Sequence, residues 1–63
     1  MEAWQQRAIA DRDELDQRLI AMEAFRECDK FKALPDIDQK LLIEQEAHMA
    51  GYSAVLSKRI ARF

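Results

Sequence analysis

One proline and one glycine are all that could interrupt a helix in these 63 residues, and the proline stands near the middle. Between Glu2 and Cys28 there is no breaker, and strong helix formers dominate. Leu15, Leu19, Met22 and Phe25 step by four, three and three, which lines one helical face. Arg12 with Asp16, and Glu14 with Arg18, set opposite charges four residues apart on the solvated side. The pattern predicts a long helix over about residues 2–28.

The break comes in "CDKFKALPDIDQ". Pro35 disfavours helical geometry at Leu34 and suits the first turn of a new helix, where Asp36 and Asp38 meet the positive end of the dipole. Phe31 and Leu34 are apolar within the connection, so a short helical turn at about 29–33 is expected to fold back on the helices. A second long helix is expected over about 35–62. Leu42, Met49, Leu56 and Phe63 recur every seven residues, the repeat of coiled-coil packing, and Leu41, Tyr52, Val55 and Ile60 are expected to widen the stripe.

Two long rods joined by a short corner must lie antiparallel. The expected fold class is all-α, a two-helix hairpin forming one domain over residues 1–63. A chain this short buries only about 60% of the surface its unfolded form exposes. Ile37 and Ile43 also lie off the main seams. Assembly into a helical-bundle homo-oligomer, a dimer or larger, is therefore expected. The interface candidates are Ile9, Ile20, Leu42, Met49, Gly51, Leu56 and Phe63. Gly51 sits in "HMAGYS", where a helix-interior glycine costs roughly 1 kcal/mol against alanine. Close helix crossing at a subunit contact, beside Ala47, Ala50 and Ala54, explains it; a ligand pressed on bare backbone beside Tyr52 is the other reading.

A net charge of −2 argues against binding a DNA duplex. The charge is uneven, however. Residues 52–63 carry Lys58, Arg59 and Arg62 with no acid, whereas residues 13–51 hold ten acids against five bases. Cys28 is the lone cysteine, so no internal disulfide forms and a cytosolic thiol is the plain reading. No signal peptide or membrane span is expected. Catalysis is not expected either. His48 and Cys28 are single and fall in different helices; Glu44 and His48 miss the Glu-x-x-His spacing of di-iron bundles. No phosphate loop or zinc spacing is present, so neither metal nor cofactor is expected.

Antiparallel pairing gathers Trp4, Arg7, Lys58, Arg59, Arg62 and Phe63 at the open end. An aromatic face beside several cations suits a nucleobase and its phosphate, with stacking worth ~1–3 kcal/mol per base. The same residues also read as core caps and as cations answering the helix dipole. Asp11 and Arg12 interrupt the first apolar stripe roughly opposite Tyr52 and Val55. Arg12 is a candidate second anion contact; the pair also reads, and more simply, as a polar flank.

The order of motifs resembles a family of small phage and prophage helical proteins related to a crAss-like phage protein. The shared features are Trp4-Gln5-Gln6-Arg7, Phe31-Lys32-x-Leu34, Leu41-Leu42-x-x-Gln45, Met49-x-x-Tyr52-Ser53 and Arg59-Ile60. More distantly, the chain is similar to the helical-hairpin sponges with which phages sequester the cyclic oligonucleotide signals of CBASS-type defence. It lacks their Gly-Tyr-Arg opening, for which Trp4 and Arg7 are loose equivalents. The resemblance implies a non-enzymatic anti-defence protein of the host-cell cytoplasm, a homo-oligomer binding a cyclic di- or trinucleotide between protomers. Trp4, Arg7, Arg12, Tyr52, Lys58, Arg59 and Arg62 are the candidate ligand contacts. A helical inhibitor or adaptor of a host or defence protein, or a structural phage oligomer, are the alternatives.

Overall fold

The computed structural model describes residues 1–63 and contains helices and turns with no strand. Helix α1 spans Ala3–Arg26, α2 spans Asp29–Lys32 and α3 spans Asp36–Ile60. At the start of α1, Gln5 reaches back so that the Glu2 backbone N–H donates to its Oε1 at 2.9 Å, the return half of a capping box.

The helix ends sooner than its uninterrupted composition predicts. Glu27 and Cys28 donate to the carbonyls of Ala24 and Phe25, three residues back, at 3.2 and 3.0 Å, and this tightening closes the last turn. Turning there lets Phe31 fold back edge-on against Phe25, with ring centroids 5.9 Å apart. Phe31 is buried and Leu34 half-buried, so the connection packs on the rods as its composition predicts.

Pro35 stands just outside α3 instead of in its first turn. Its φ of −54° and ψ of 148° are extended, and its carbonyl accepts the Gln39 N–H at 3.1 Å. The Gln39 side chain then ties the corner, donating to Leu34 O at 2.8 Å and Lys32 O at 3.2 Å. Lys32 is the last residue of α2, and its carbonyl is one that a helix end leaves without a partner. At the other end α3 closes at Ile60, and Arg62 and Phe63 follow in turns bonded to Arg59 O and Ile60 O. Arg62 therefore lies just past the helix.

The two long helices run antiparallel, as three cross-links spaced along them show. Trp4 meets Phe63, Asp16 meets Ser53 and Arg26 meets Glu46. The α3 residues turned toward α1 are Gln39, Leu42, Glu46, Met49, Ser53, Leu56 and Ile60, each buried or half-buried. They alternate steps of three and four, a heptad seam. Opposite them stand Gln5, Ala8, Arg12, Leu15, Leu19, Met22 and Arg26, spaced in the same way. Every second layer of the seam thus includes a polar side chain along most of its length.

Leu41, Tyr52 and Val55 do not widen this stripe. Each precedes a seam residue by one position, which rotates it by about 100°, and all three are more than half exposed. Leu56, expected at a subunit interface, is instead 1% exposed within the protomer. It fills the seam against α1, so no surface of it remains to offer a neighbour.

The hairpin measures 46 × 15 × 14 Å. Its radius of gyration is 14.4 Å, against about 10.6 Å for a compact chain of this length. Ala8, Leu15, Phe31 and Leu56 are its buried residues. No helix is long and apolar enough to cross a membrane.

Candidate functional site

The open end of the hairpin is built by the first turn of α1 and the last turn of α3. Antiparallel packing brings Trp4 against Phe63, ring centroids 5.1 Å apart and planes at 83°. This edge-to-face geometry is the favoured one for an aromatic pair. The rings form one wall of a cavity of about 250 Å³ whose other lining residues are Arg59 and Arg62.

Neither arginine has a carboxylate partner. The ion pairs of the chain are Arg12–Asp13, Arg18–Glu14, Arg26–Glu46 and His48–Glu44. Two guanidinium groups thus stand uncompensated beside an aromatic wall, softened by the negative end of α3. Arg7 and Lys58 are exposed at the same end and are not among the lining residues.

Arg12 and Tyr52 lie farther along the rod. Arg12 is half-buried in the seam, and its Nη2 reaches Asp13 Oδ1 at 3.3 Å. The expected Arg12–Asp16 pair does not form, because Asp16 faces α3 and accepts from Ser53 Oγ at 2.5 Å. The Glu14–Arg18 pair does form, at 2.7 Å. Asp11 is exposed and lines a concavity of about 150 Å³ with Glu14, Leu15, Arg18 and Tyr52. The polar break in the first apolar stripe is therefore split: Asp11 is flank and Arg12 is seam.

A feature missed by the sequence reading is a groove along the side of the rod. One concavity, about 490 Å³, is lined by Leu41, Glu44, Gln45, His48, Met49 and Tyr52. A second, about 340 Å³, shares Gln45 and Met49 with it and adds Arg18, Ala21, Met22, Phe25 and Leu42. Shared Arg18 and Tyr52 connect both to the Asp11 concavity. The available signal was the spacing of Leu41, Gln45, His48, Tyr52 and Val55, a second stripe beside the seam.

Of the remaining interface candidates, Leu42, Met49 and Ile9 are half-buried, Ile20 and Gly51 are exposed, and Phe63 packs on Trp4. A Cβ added at Gly51 would meet nothing within 4 Å. Close crossing of α1 and α3 is thus not the reason for that glycine. His48 Nε2 lies 3.7 Å from Glu44 Oε1, and no group of three or more His, Cys, Asp or Glu side chains gathers as metal ligands.

Comparison with known proteins places the chain among phage proteins. It is 36% identical over 63 residues to an uncharacterized 7.5 kDa protein in the denB-rIIB intergenic region of Enterobacteria phage T4, covering 100% of this chain and 98% of that relative. No solved structure matches. The crAss-like grouping suggested by the motif order is not the one found. The family model for Sequestin matches residues 2–62, and the chain belongs to the Sequestin family.

Proposed function

We propose that this protein is a non-enzymatic phage accessory protein that sequesters a cyclic oligonucleotide immune messenger in the host cytoplasm. The observation that carries this reading is the end cavity, where unpaired Arg59 and Arg62 stand beside the edge-to-face Trp4–Phe63 wall. Arginine forks match phosphate oxygens, and an aromatic face stacks on any base. The family name denotes sequestration, and the T4 relative is a phage protein.

The cavity volume sets the scale of the contact. At about 250 Å³ it falls below the ~300–1,000 Å³ typical of sites that enclose a small molecule. It suits one nucleotide unit, with the rest of a cyclic di- or trinucleotide covered by a neighbouring copy of the chain. A homo-oligomer is therefore part of the proposal. Binding holds the ligand without cleaving it, since the cavity offers cations and rings but no general base or nucleophile.

Trp4 is the single tryptophan, so its fluorescence reports on the cavity directly. Titration with a panel of cyclic di- and trinucleotides is expected to quench it. A ligand present at 100 times its Kd should also stabilise the fold by about 2.7 kcal/mol. Unchanged fluorescence and melting across the whole panel would refute the reading.

A further inference from the structure

The outer stripe of α3 reads the same way from either end. In order it carries Asp38, Leu41, Gln45, His48, Tyr52, Val55 and Arg59. From these residues we infer that α3 pairs antiparallel with α3 of a second copy, about a two-fold axis at His48, to give a four-helix dimer. The pairing deepens the oligomer named above but rests on the stripe and not on any ligand.

About that axis three pairs match to within one residue. Leu41 falls opposite Val55 of the second copy, two apolar side chains that are 54% and 53% exposed in the protomer. Gln45 falls opposite Tyr52, amide against phenol. Asp38 falls opposite Arg59, acid against cation, and neither has an ion-pair partner within the hairpin. An isologous interface requires this self-complementarity. A parallel pairing would set Asp38 on Asp38 and Arg59 on Arg59 instead.

The area also fits. The protomer exposes 4857 Å², whereas a compact monomer of this mass exposes about 4,200 Å². The surplus of roughly 600–700 Å² follows from the rod shape and is surface that a second copy would cover. The groove along Leu41, Gln45, Met49 and Tyr52 supplies the recess that the second copy's side chains would enter. The same register pairs Arg59 with Asp38 of the second copy and leaves Arg62 as the free guanidinium of the end cavity.

Sedimentation equilibrium on the full chain tests the inference, with circular dichroism to confirm helix content. The wild type is expected at twice its 7.4 kDa monomer mass. Val55→Glu should weaken the dimer at least tenfold and leave the helix signal intact, since Val55 lies outside the seam and is 53% exposed in the protomer. Asp38→Arg should weaken it as well, and Asp38→Arg combined with Arg59→Asp should restore it. In a Cys28→Ser background, His48→Cys should form a disulfide dimer readily, whereas Ala47→Cys, on the neighbouring face, should not. A monomer at millimolar concentration would overturn the inference. So would a dimer indifferent to Val55→Glu, or one that fails to cross-link at position 48. None of these readouts involves nucleotide, so loss of the ligand reading and loss of the dimer are separately visible.

Discussion

Ser53 donates its hydroxyl hydrogen to Asp16 Oδ1 at 2.5 Å, joining α3 to α1 near the middle of the rod. Both residues are half-buried, and the acceptor is a carboxylate. Hydrogen bonds to charged groups contribute about 1.5–3 kcal/mol. Ser53→Ala is expected to destabilise the fold by about 1–2 kcal/mol, at the low end because Asp16 keeps some water. The check is a denaturant melt, in which an unchanged midpoint would show that the bond contributes nothing.

Leu56 is the most deeply buried side chain of the seam. Removing such a leucine costs about 2–5 kcal/mol, while a chain this short has a total stability of only about 3–9 kcal/mol at ordinary values per residue. Leu56→Ala is therefore expected to abolish the cooperative thermal transition or lower its midpoint by more than 10 °C, on the order of the usual shift per kcal/mol for small domains. A shift of only a few degrees would place the core elsewhere.

Arg26 Nη1 contacts Glu46 Oε1 at 2.9 Å, and the other carboxylate oxygen of Glu46 is buried without a partner. Arg26→Met alone leaves that carboxylate unpaired and should destabilise by about 1–3 kcal/mol. Replacing both, Arg26→Met with Glu46→Leu, should bring stability back to the wild-type value or above it. Urea denaturation of the two variants reads the difference directly.

Gly51 lies in helical backbone with open space where a Cβ would go. Gly51→Ala is expected to stabilise the helix by about 0.5–1 kcal/mol. A fall in stability accompanied by a fall in oligomer mass would instead place this glycine at a contact between copies, and sedimentation with thermal melting distinguishes the two outcomes.

Arg62 lines the end cavity and lies beyond α3, so it is free of the helix packing. Arg62→Ala is expected to weaken cyclic-nucleotide binding by about tenfold to a hundredfold, the range of one charge-assisted contact, with helix content unchanged. Isothermal titration measures it.

The hairpin was legible because its signals are local. An unbroken run to Cys28, Pro35 near the centre and the recurrence of Leu42, Met49 and Leu56 each depend on neighbours in the chain. The gathering of Trp4, Arg59, Arg62 and Phe63 at one end followed from antiparallel pairing alone. What was not legible is the composition of the seam. Gln39, Glu46 and Ser53 complete its heptads, but a polar residue reads as outward-facing until its partner on the other helix is known. Counting only apolar residues therefore drew Leu41, Tyr52 and Val55 into the core, although their faces point elsewhere. The same blindness sent Arg12 toward Asp16, whose actual partner stands 37 residues away.

The interleaved polar layers have a consequence for how precisely the rods align. Greasy heptads alone would let one helix slide past the other by a full repeat and find equivalent neighbours. Here a slip of seven residues in one direction would carry Glu46 to the level of Asp16, acid against acid, and set Ser53 beside Ile9. The seam thus works as a vernier that opposes this slip, and the fixed middle holds the two ends of the chain level.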